Sequence, residues 1–339
     1  MATPEQRSMS GSLPVVTGKR LMLFSGRANP KLADDIAARL RIDVGAVTLK
    51  TFSGGEAYCR YEESVRGADV FIVQSTCNNA VTSVTANDAL VELLLMIDAA
   101  VGASAQRVIA VMPWFAYSRQ DKKSALREPI SARMVAQVLQ AVGADRVLTV
   151  DLHAGQVQGF FTKPVDHMTA LLMLAKYFQD LDDDNLVVVA PDVGRVKLND
   201  KFADMIGADL AIMTKERPAQ QVAAIGYLIG DVAGKTAVLL DDIIDTAGTL
   251  CAGARTVLEA GASKVYAAAT HPVFSGNAFE NLANVPFEQI VVTDTIPLAP
   301  GAPSNIVQLS CARLLADTIS EIFSDGSVSA VVGGENQLF

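Results

Sequence analysis

Short, continuously apolar segments alternate with amphipathic helical segments along most of this 339-residue chain, and this alternation limits the fold more than any other feature. A strand that is apolar on both faces has to be covered on both faces, which is typical of a parallel sheet lying between helices. The sequence predicts nine such strands: Leu21–Phe24, Val70–Gln74, Val108–Met112, Val147–Val150, Leu186–Ala190, Leu210–Met213, Ala237–Leu240, Val265–Thr270 and Ile290–Thr293.

The helices predicted between these strands each carry one apolar stripe. Pro30–Leu40 places Leu32 and Ile36 on one side, and Ala86–Ala100 and Ser131–Val142 follow the same spacing. Strand–helix–strand order predicts an α/β protein with mostly parallel, doubly wound sheets. Because a domain takes roughly 150 residues, we expect two such domains joined near residues 162–166.

The domain boundaries follow from this organisation. Residues 1–18 are small and polar, without the apolar run of a signal sequence, and are predicted to form a flexible arm. Residues 19–165 form the first domain and residues 166–315 the second. Residues 316–339 form a helix and tail that we expect to pack on the first domain.

Composition argues against several classes of function. The chain has 28 Lys and Arg against 37 Asp and Glu, a net charge of −9, whereas nucleic acids are bound by an excess of basic residues. The longest apolar stretch, residues 90–105, is interrupted by Glu92 and Asp98, so no membrane segment is expected. The four cysteines are far apart and form no CxxC pair, which indicates reduced thiols and a cytoplasmic protein.

The most specific string for function runs from Ala237 to Thr249, where an apolar strand ends in adjacent carboxylates and a small-residue loop leads into a helix at about Leu250. Ligands of α/β sheets bind at this end of the strands, and backbone N–H groups of such a loop can approach a phosphate. The carboxylates would repel a phosphate but can accept hydrogen bonds from vicinal sugar hydroxyls. The string therefore predicts a sugar-phosphate site made of Asp241, Asp242, Asp245, Thr246, Ala247, Gly248 and Thr249.

A second phosphate motif is excluded by its spacing. Residues 230–236, Gly-Asp-Val-Ala-Gly-Lys-Thr, have three residues between the glycines where a Walker A loop has four, and they lead into a strand instead of a helix. We therefore expect a turn between elements at this position.

The Asp241–Thr249 string resembles the signature of the phosphoribosyl-pyrophosphate-binding fold. The resemblance extends along nearly the whole chain after residue 18 to the ribose-phosphate pyrophosphokinases, also called phosphoribosyl pyrophosphate synthetases. It implies two phosphoribosyltransferase-like domains in a homo-oligomer, a hexamer built from dimers. It also implies Mg²⁺-dependent transfer of the diphosphoryl group of ATP to the C1 hydroxyl of ribose 5-phosphate. The other matching strings are residues 24–30, 62–67, 117–121, 127–130, 151–154, 156–161 and 293–297.

The same resemblance implies roles for further residues. Lys215 and Arg217 correspond to a flexible catalytic loop that grips the transferring phosphates, and His153 and Asp192 correspond to magnesium ligands, although magnesium prefers oxygen to nitrogen. Ser64, Arg66 and Ser310 correspond to a regulatory anion site. The residues that the resemblance assigns to ATP are Phe52, Glu56, Arg119, Gln120, Asp121, Lys122 and Lys123, the first two reaching in from a neighbouring subunit.

Structural interpretations remain open for several of these residues. Phe52 also fits a core position, Lys122 and Lys123 a solvated face, and His167 and His271 hydrogen-bonded structural positions.

Two departures and two alternative functions also remain. Gly54 stands where the family usually has Asp or Asn. Arg195 stands where it has Gly, beside Asp192, and could compete with the cation or contact a phosphate. The alternatives are a phosphoribosyltransferase, disfavoured by the chain length, and a catalytically silent regulatory homologue, disfavoured by the presence of Lys215 and Arg217.

Overall fold

The computed structural model describes residues 18–181, 183, 185–219 and 222–334, and within that range it leaves the side chains of residues 215–226 undescribed. The first half of the chain contains β1 (Leu21–Ser25), α1 (Pro30–Leu40), β2 (Val47–Thr51), β3 (Ala57–Tyr61), β4 (Asp69–Val73), α2 (Ala86–Gly102), β5 (Arg107–Met112), α3 (Ser131–Ala141), β6 (Arg146–Val150) and β7 (Val165–Met168).

The second half continues with α4 (Leu171–Gln179), β8 (Leu186–Ala190), α5 (Val196–Ile206), β9 (Asp209–Ala219), β10 (Val222–Ile229), β11 (Thr236–Ile244), α6 (Gly248–Glu259), β12 (Lys264–Pro272), α7 (Ala278–Ala283), β13 (Ile290–Thr293), β14 (Ile306–Leu309), α8 (Ala312–Ser324) and α9 (Val328–Val331). Short 3₁₀ segments occupy Gly155–Phe160 and Val193–Arg195. No helix among the described residues has the length and apolarity to cross a membrane.

The strands form two main sheets and one separate hairpin. The first sheet has the order β1-β4-β5-β6-β7 with every neighbouring pair parallel. The second has the order β10-β9-β8-β11-β12-β13-β14 and is parallel except for the antiparallel β9–β10 pair. The hairpin is β2–β3. These sheets confirm the predicted α/β class with mostly parallel strands.

Burial explains which strands could be predicted from the sequence. All five residues of β4 and of β8 are buried, and helices cover both faces of the sheets, so these strands are continuously apolar. The hairpin strand β2 and the edge strand β14 are partly exposed and were not predicted. Their side chains alternate between environments over only four or five residues, which leaves little signal.

The junction between the domains differs from the predicted one. The boundary expected at residues 165/166 falls inside β7, because Val165 pairs with Val147 of β6 and the first sheet therefore extends to Met168. The C-terminal helix α8 begins at Ala312, four residues earlier than expected. It packs against α1, where Leu315 and Ile319 join one apolar core with Leu32 and Ile36.

Buried polar contacts join the two domains at the carboxyl ends of their strands. Ser75 Oγ donates a 2.6 Å hydrogen bond to Thr295 O, and Asn29 Nδ2 donates one of 2.8 Å to Asp294 O. The rings of Trp114 and His271 lie 4.7 Å apart across the same boundary. These contacts join the segments after β1, β4 and β5 of the first sheet to β12 and to the segment after β13 of the second.

Candidate active site

The loop from β11 to α6 has the geometry of an anion site. Ala247 adopts a left-handed conformation with φ 62°, which a non-glycine residue adopts only at some cost. Asn281 Nδ2 holds the loop by donating a 2.8 Å hydrogen bond to Thr246 O. The helix begins at Gly248, two residues earlier than expected, and no side chain caps its N-terminus. Its first backbone N–H groups are therefore available to a phosphate.

The pKa values of the adjacent acids Asp241 and Asp242 are shifted in opposite directions. The Asp242 side chain is only 7% exposed, yet its pKa lies below the ordinary value, because the hydrogen bond from His153 and the charge of Arg195 outweigh the cost of burial. Burial and the neighbouring Asp242 charge raise the pKa of Asp241. The pair therefore carries its negative charge mainly on Asp242.

His153 and Arg195 converge on this pair from separate elements. His153 Nδ1 lies 2.7 Å from Asp242 Oδ2, which places the Nδ1 proton toward the carboxylate because a carboxylate oxygen only accepts. Arg195 Nη2 lies 2.6 Å from Asp242 Oδ1, and Arg195 Nε lies 3.5 Å from Asp241 Oδ1. Arg195 therefore contacts the carboxylates expected to bind the sugar, and both roles considered for it beside Asp192 stay predictions.

The two histidines interpreted as structural are both hydrogen-bonded, and His271 is fully buried whereas His167 is partly buried. His271 Nε2 lies 3.1 Å from Val150 O and 3.0 Å from Asp151 O, and its Nδ1 lies 2.9 Å from Thr295 Oγ1. His167 Nε2 accepts a 2.8 Å hydrogen bond from Leu152 N. Burial lowers the pKa of each to about 4, so both are neutral near pH 7.

Metal ligands are sparse at this site. The described residues contain no group of three or more His, Cys, Asp or Glu side chains placed to hold a metal ion. Magnesium is often bound by one or two carboxylates together with waters and substrate phosphates, so the carboxylate of Asp192, which begins the 3₁₀ turn, fits such an ion. His153 fits less well as a direct ligand because its Nδ1 contacts Asp242.

A cavity of about 570 Å³ lies between the domains beside this loop. Arg119 of the first domain forms an ion pair with Asp245 of the second across it, and Asp245 also accepts a hydrogen bond from Ser275. The lining also includes aromatic and amide side chains, among them Asn78, Asn87, Trp114, Tyr117, Gln120 and Phe274. Arg119 and Gln120, predicted to bind the nucleotide, thus share one cavity with Asp245 of the predicted sugar site.

The other residues of the 119–123 segment divide into anchored and exposed ones. Asp121 is 8% exposed and accepts a hydrogen bond from Gln156, so its side chain anchors the loop internally. Gln120 Oε1 accepts a hydrogen bond from Ser131, the first residue of α3. Lys122 and Lys123 are exposed.

Phe52 and Glu56 lie at the tip of the β2–β3 hairpin, outside the residues that line the cavity. The Phe52 side chain is 45% exposed, which shows that the core interpretation was wrong. It packs edge-on against Tyr58 at 5.6 Å, and Lys50 Nζ lies 5.0 Å from its ring centre. The hairpin therefore presents an aromatic surface away from this chain's own cavity.

Lys215 and Arg217 were expected in a flexible loop after a strand ending at Met213. Their backbone instead belongs to β9, and Lys215 pairs with Ile225 of β10. The side chains of both residues lie outside the described part of the structure, so their contacts are not placed.

Two further expectations concerned the turn at residues 230–236 and the anion site of Ser64, Arg66 and Ser310. Residues 230–236 form a turn into β11, as predicted, and Lys235 Nζ pairs with Asp209 Oδ2 at 2.7 Å. Ser64 and Arg66 offer backbone carbonyls to Arg20, and no hydrogen bond or ion pair within the described residues joins them to Ser310.

Sequence reasoning missed several residues that shape the site. Asn281 holds the phosphate loop and Ser275 holds Asp245, yet both come from segments with no motif of their own. Arg195 was noticed as a departure, but its bridging of both carboxylates depends on how β8 and β11 lie side by side. No local signal reports such distant pairings.

The fold defines a class: two-domain α/β proteins of phosphoribosyltransferase-like architecture with mostly parallel sheets. Family models agree over much of the chain. Residues 21–143 match the N-terminal domain of ribose phosphate pyrophosphokinase, and residues 211–332 match the phosphoribosyl synthetase-associated domain. The chain belongs to the ribose-phosphate pyrophosphokinase family, whose members are transferases of nucleotide biosynthesis.

Individual relatives support this assignment over nearly full length. The ribose-phosphate pyrophosphokinase of Corynebacterium efficiens is 48% identical over 322 residues, covering 94% of this chain and 97% of the relative. That of Clostridium perfringens is 47% identical over 317 residues, covering 92% and 98%. The crystal structure of phosphoribosylpyrophosphate synthetase from Mycobacterium smegmatis matches with a TM-score of 0.84 and 45% identity, covering 91% of this chain and 100% of that structure.

Proposed function

We propose that the protein transfers the diphosphoryl group of ATP to the C1 hydroxyl of ribose 5-phosphate, giving phosphoribosyl pyrophosphate and AMP. The observation that carries this proposal is the ion pair across one cavity between the domains, which joins Asp245 of the 241–249 segment to Arg119. A sugar phosphate and a nucleotide phosphate chain bound to these two elements lie next to each other.

The binding of ribose 5-phosphate follows from the loop geometry. The uncapped N-terminus of α6 offers backbone N–H groups to the 5-phosphate, and Asp241 and Asp242 accept hydrogen bonds from the ribose hydroxyls. His153 supports this arrangement by holding the Asp242 carboxylate in one orientation.

Phosphoryl transfer depends on positioning and on neutralising charge. Arg119, Gln120, Lys122 and Lys123 contribute to ATP binding, while the buried Asp121 fixes their loop. Lys215 and Arg217 act on the transferring phosphates. Asp192 and His153 are the residues that would hold a magnesium ion, which would neutralise charge on the phosphates.

A complete site on this proposal requires more than one chain. Phe52 and Glu56 sit on an exposed hairpin outside this chain's cavity, which supports their use by a neighbouring subunit. We propose a homo-oligomer, a hexamer built from dimers, in the cytoplasm. Ser64, Arg66 and Ser310 remain candidates for a regulatory anion site of that assembly.

The proposal is tested by following labelled ATP in the presence of ribose 5-phosphate and magnesium. AMP that accumulates together with phosphoribosyl pyrophosphate is the expected product, and formation of ADP would contradict it.

Replacement of the paired cations tests the catalytic step. Lys215→Ala and Arg217→Ala are each expected to lower kcat by at least about a hundredfold, or ~3 kcal/mol, with little change in ribose 5-phosphate affinity, because contacts made in the transition state affect turnover. Lys197→Ala, in α5, is the matched control for loss of an exposed positive charge. AMP formation near the wild-type rate in both variants would remove the roles given to Lys215 and Arg217.

A further inference from the structure

The β2–β3 hairpin is joined to the rest of the first domain both at its base and beside its tip, residues 52–56. At the base, Tyr61 Oη donates a 2.8 Å hydrogen bond to Met96 O of α2. Beside the tip, Arg27 Nη2 donates a 3.0 Å hydrogen bond to Thr51 Oγ1. Within the described residues, these are the two side-chain hydrogen bonds between the hairpin strands and the other elements of the chain.

Arg27 is held by a carboxylate that is itself fixed. The Glu92 side chain, on α2, is 1% exposed and accepts hydrogen bonds from Nε of Arg27 and, at 2.8 Å, from its backbone N–H. The fully buried Gln74 donates a further 3.0 Å hydrogen bond from Nε2 to the same carboxylate. Charge-assisted hydrogen bonds to a planar guanidinium fix its orientation. Arg27 Nη2 is therefore a rigid donor aimed at the hairpin.

The hairpin tip depends on such a donor because it extends away from the packed base. Tyr61 pairs with Val47 at the base, and Thr51 lies four residues further along β2, about 13 Å away. Residues 51–56 are exposed, so apolar packing does not orient them. A two-stranded hairpin is only marginally stable by itself. The contact from Arg27 thus fixes the end of the hairpin that its own packing leaves free to swing.

We propose that Arg27 and Glu92 are positioning residues for nucleotide binding, which fix the direction of the hairpin tip so that it meets the nucleotide at a neighbouring subunit's site. The inference rests on the proposed function for the contact of Phe52 and Glu56 with that nucleotide. Phe52 directly follows Thr51, so a fixed Thr51 side chain restricts the backbone from which the aromatic ring projects. A tip that samples other directions lowers the fraction of protein competent to bind ATP, and the apparent affinity falls by that fraction.

The main test is Thr51→Val, which removes the acceptor, keeps the shape of the side chain and leaves the Arg27–Glu92 pair intact. In steady-state assays of AMP formation by the full-length protein, KM for ATP is expected to rise about fivefold, the effect of losing one hydrogen bond. The kcat and the KM for ribose 5-phosphate are expected to stay within twofold of the wild type. A purely structural ion pair would not affect one substrate alone.

Thr48→Val is the matched control, because it is the same substitution at another exposed position of the same strand. It also removes a hydrogen bond, that of Thr48 Oγ1 to Glu62 Oε1 at 2.6 Å, but at the base of the hairpin. Its KM for ATP is expected to match the wild type.

A second variant connects the effect to the arginine. Arg27→Lys keeps a positive charge for Glu92 but lacks the Nη2 atom, and it is expected to raise KM for ATP as Thr51→Val does. The double variant is expected to show no further rise, because both changes remove the same contact. If Arg27→Lys fails to fold, Thr51→Val and its control still decide the question.

Hydrogen exchange of residues 52–56 without substrate tests the contact independently of turnover. The tip is closed by 2.8 Å hydrogen bonds from Phe52 N to Glu56 O and from Gly55 N to Phe52 O. These two amides are expected to exchange at least about threefold faster in Thr51→Val than in the wild type or Thr48→Val, because local opening becomes easier.

Four outcomes would overturn the inference. They are a KM for ATP below twice the wild-type value in Thr51→Val, an equal rise in Thr48→Val or in the KM for ribose 5-phosphate, a further rise in the double variant, and unchanged exchange of the tip amides. A wild-type protein that forms no AMP would contradict the proposed function instead, and the exchange measurement would still decide whether Arg27 holds the tip.

Discussion

One buried aspartate follows β6 and another lies near the end of β11, and the surroundings shift the pKa values of the two in opposite directions. Asp151, after β6, accepts hydrogen bonds from Thr270 Oγ1 and from Ala170 N at 3.0 Å, and burial raises its pKa to about 6. Asp242, in β11, faces Arg195 and His153, and its pKa is held below the ordinary value.

The difference shows that burial alone does not decide the charge of a carboxyl group. Neutral donors leave much of the desolvation cost of Asp151 uncompensated, whereas a guanidinium and an imidazole overcome that cost at Asp242. The aspartate of the first domain therefore contacts Thr270 of the second domain, whereas Asp242 of the second domain stays charged.

The largest effect is expected on activity, from replacing Asp242, the buried aspartate that stays charged. Asp242→Asn leaves Arg195 without its main acceptor and removes a carboxylate proposed to bind the sugar. We expect kcat/KM for ribose 5-phosphate to fall at least about a hundredfold, or ~3 kcal/mol. Steady-state kinetics of AMP formation measure it, with Asp231→Asn in an exposed turn as the control. A kcat/KM within threefold of the wild-type value would show that the charge of Asp242 is not needed for activity.

The next effect is expected on the free energy of unfolding and comes from His271, which is buried and neutral at the domain boundary. The pKa of His271 is about 4 when folded and about 6.5 ordinarily, so the unfolded chain takes up the proton first as the pH falls. Between pH 7 and pH 5 this residue is expected to lower the free energy of unfolding by about 2 kcal/mol. Urea denaturation at both pH values should show that this loss is absent from His271→Asn. An identical loss in that variant would assign the acid sensitivity to other groups.

A smaller effect of opposite sign is expected at Asp151. Its folded pKa of about 6 lies above the ordinary 3.8, so it contributes stability at low pH that is lost as the pH rises through about 6. Asp151→Asn removes this contribution. Its free energy of unfolding should therefore fall more steeply from pH 7 to pH 5 than that of the wild type, by about 1 kcal/mol. Equal slopes in parallel urea titrations would show that Asp151 is ionised in the folded protein.

The smallest effect is expected at a third aspartate, Asp245, which is more exposed than Asp151 and Asp242. The Asp245 side chain is 32% exposed and pairs with Arg119, whose side chain is 46% exposed. Exposed pairs contribute ~0–1 kcal/mol, so Arg119→Gln should change the free energy of unfolding by less than about 1 kcal/mol. Thermal unfolding at low and high salt measures it, and a loss above 2 kcal/mol would show that this pair holds the domains together.

Much of the architecture was predictable because buried parallel strands leave continuous apolar segments. Val187, Val188 and Val189 of β8 are completely buried, and the strand was found within its observed bounds. The hairpin strand β2 and the edge strand β14 were not, since half-exposed short strands resemble loops. The path of β9 through Lys215 was missed because it depends on pairing with β10.

The candidate site was predictable where function occupies consecutive residues. The segment Asp241–Thr249 could be interpreted from its own composition, whereas the contacts among Asp242, His153 and Arg195 join three segments that are distant in sequence. Such contacts depend on the order of strands in the sheet. From a single sequence, this order can be predicted only through a resemblance to a family of known fold.

The packing of α8 on α1 has a consequence for the order in which the protein can mature during synthesis. One core joins Leu23 and Leu32 to Ile319, Ile322 and Val332, so the first domain lacks part of its apolar cover until nearly the whole chain has left the ribosome. Domains usually fold in order from the N-terminus. Here the nascent first domain has to wait with one helix face bare, and a stop codon before Ala312 would leave that face without its cover.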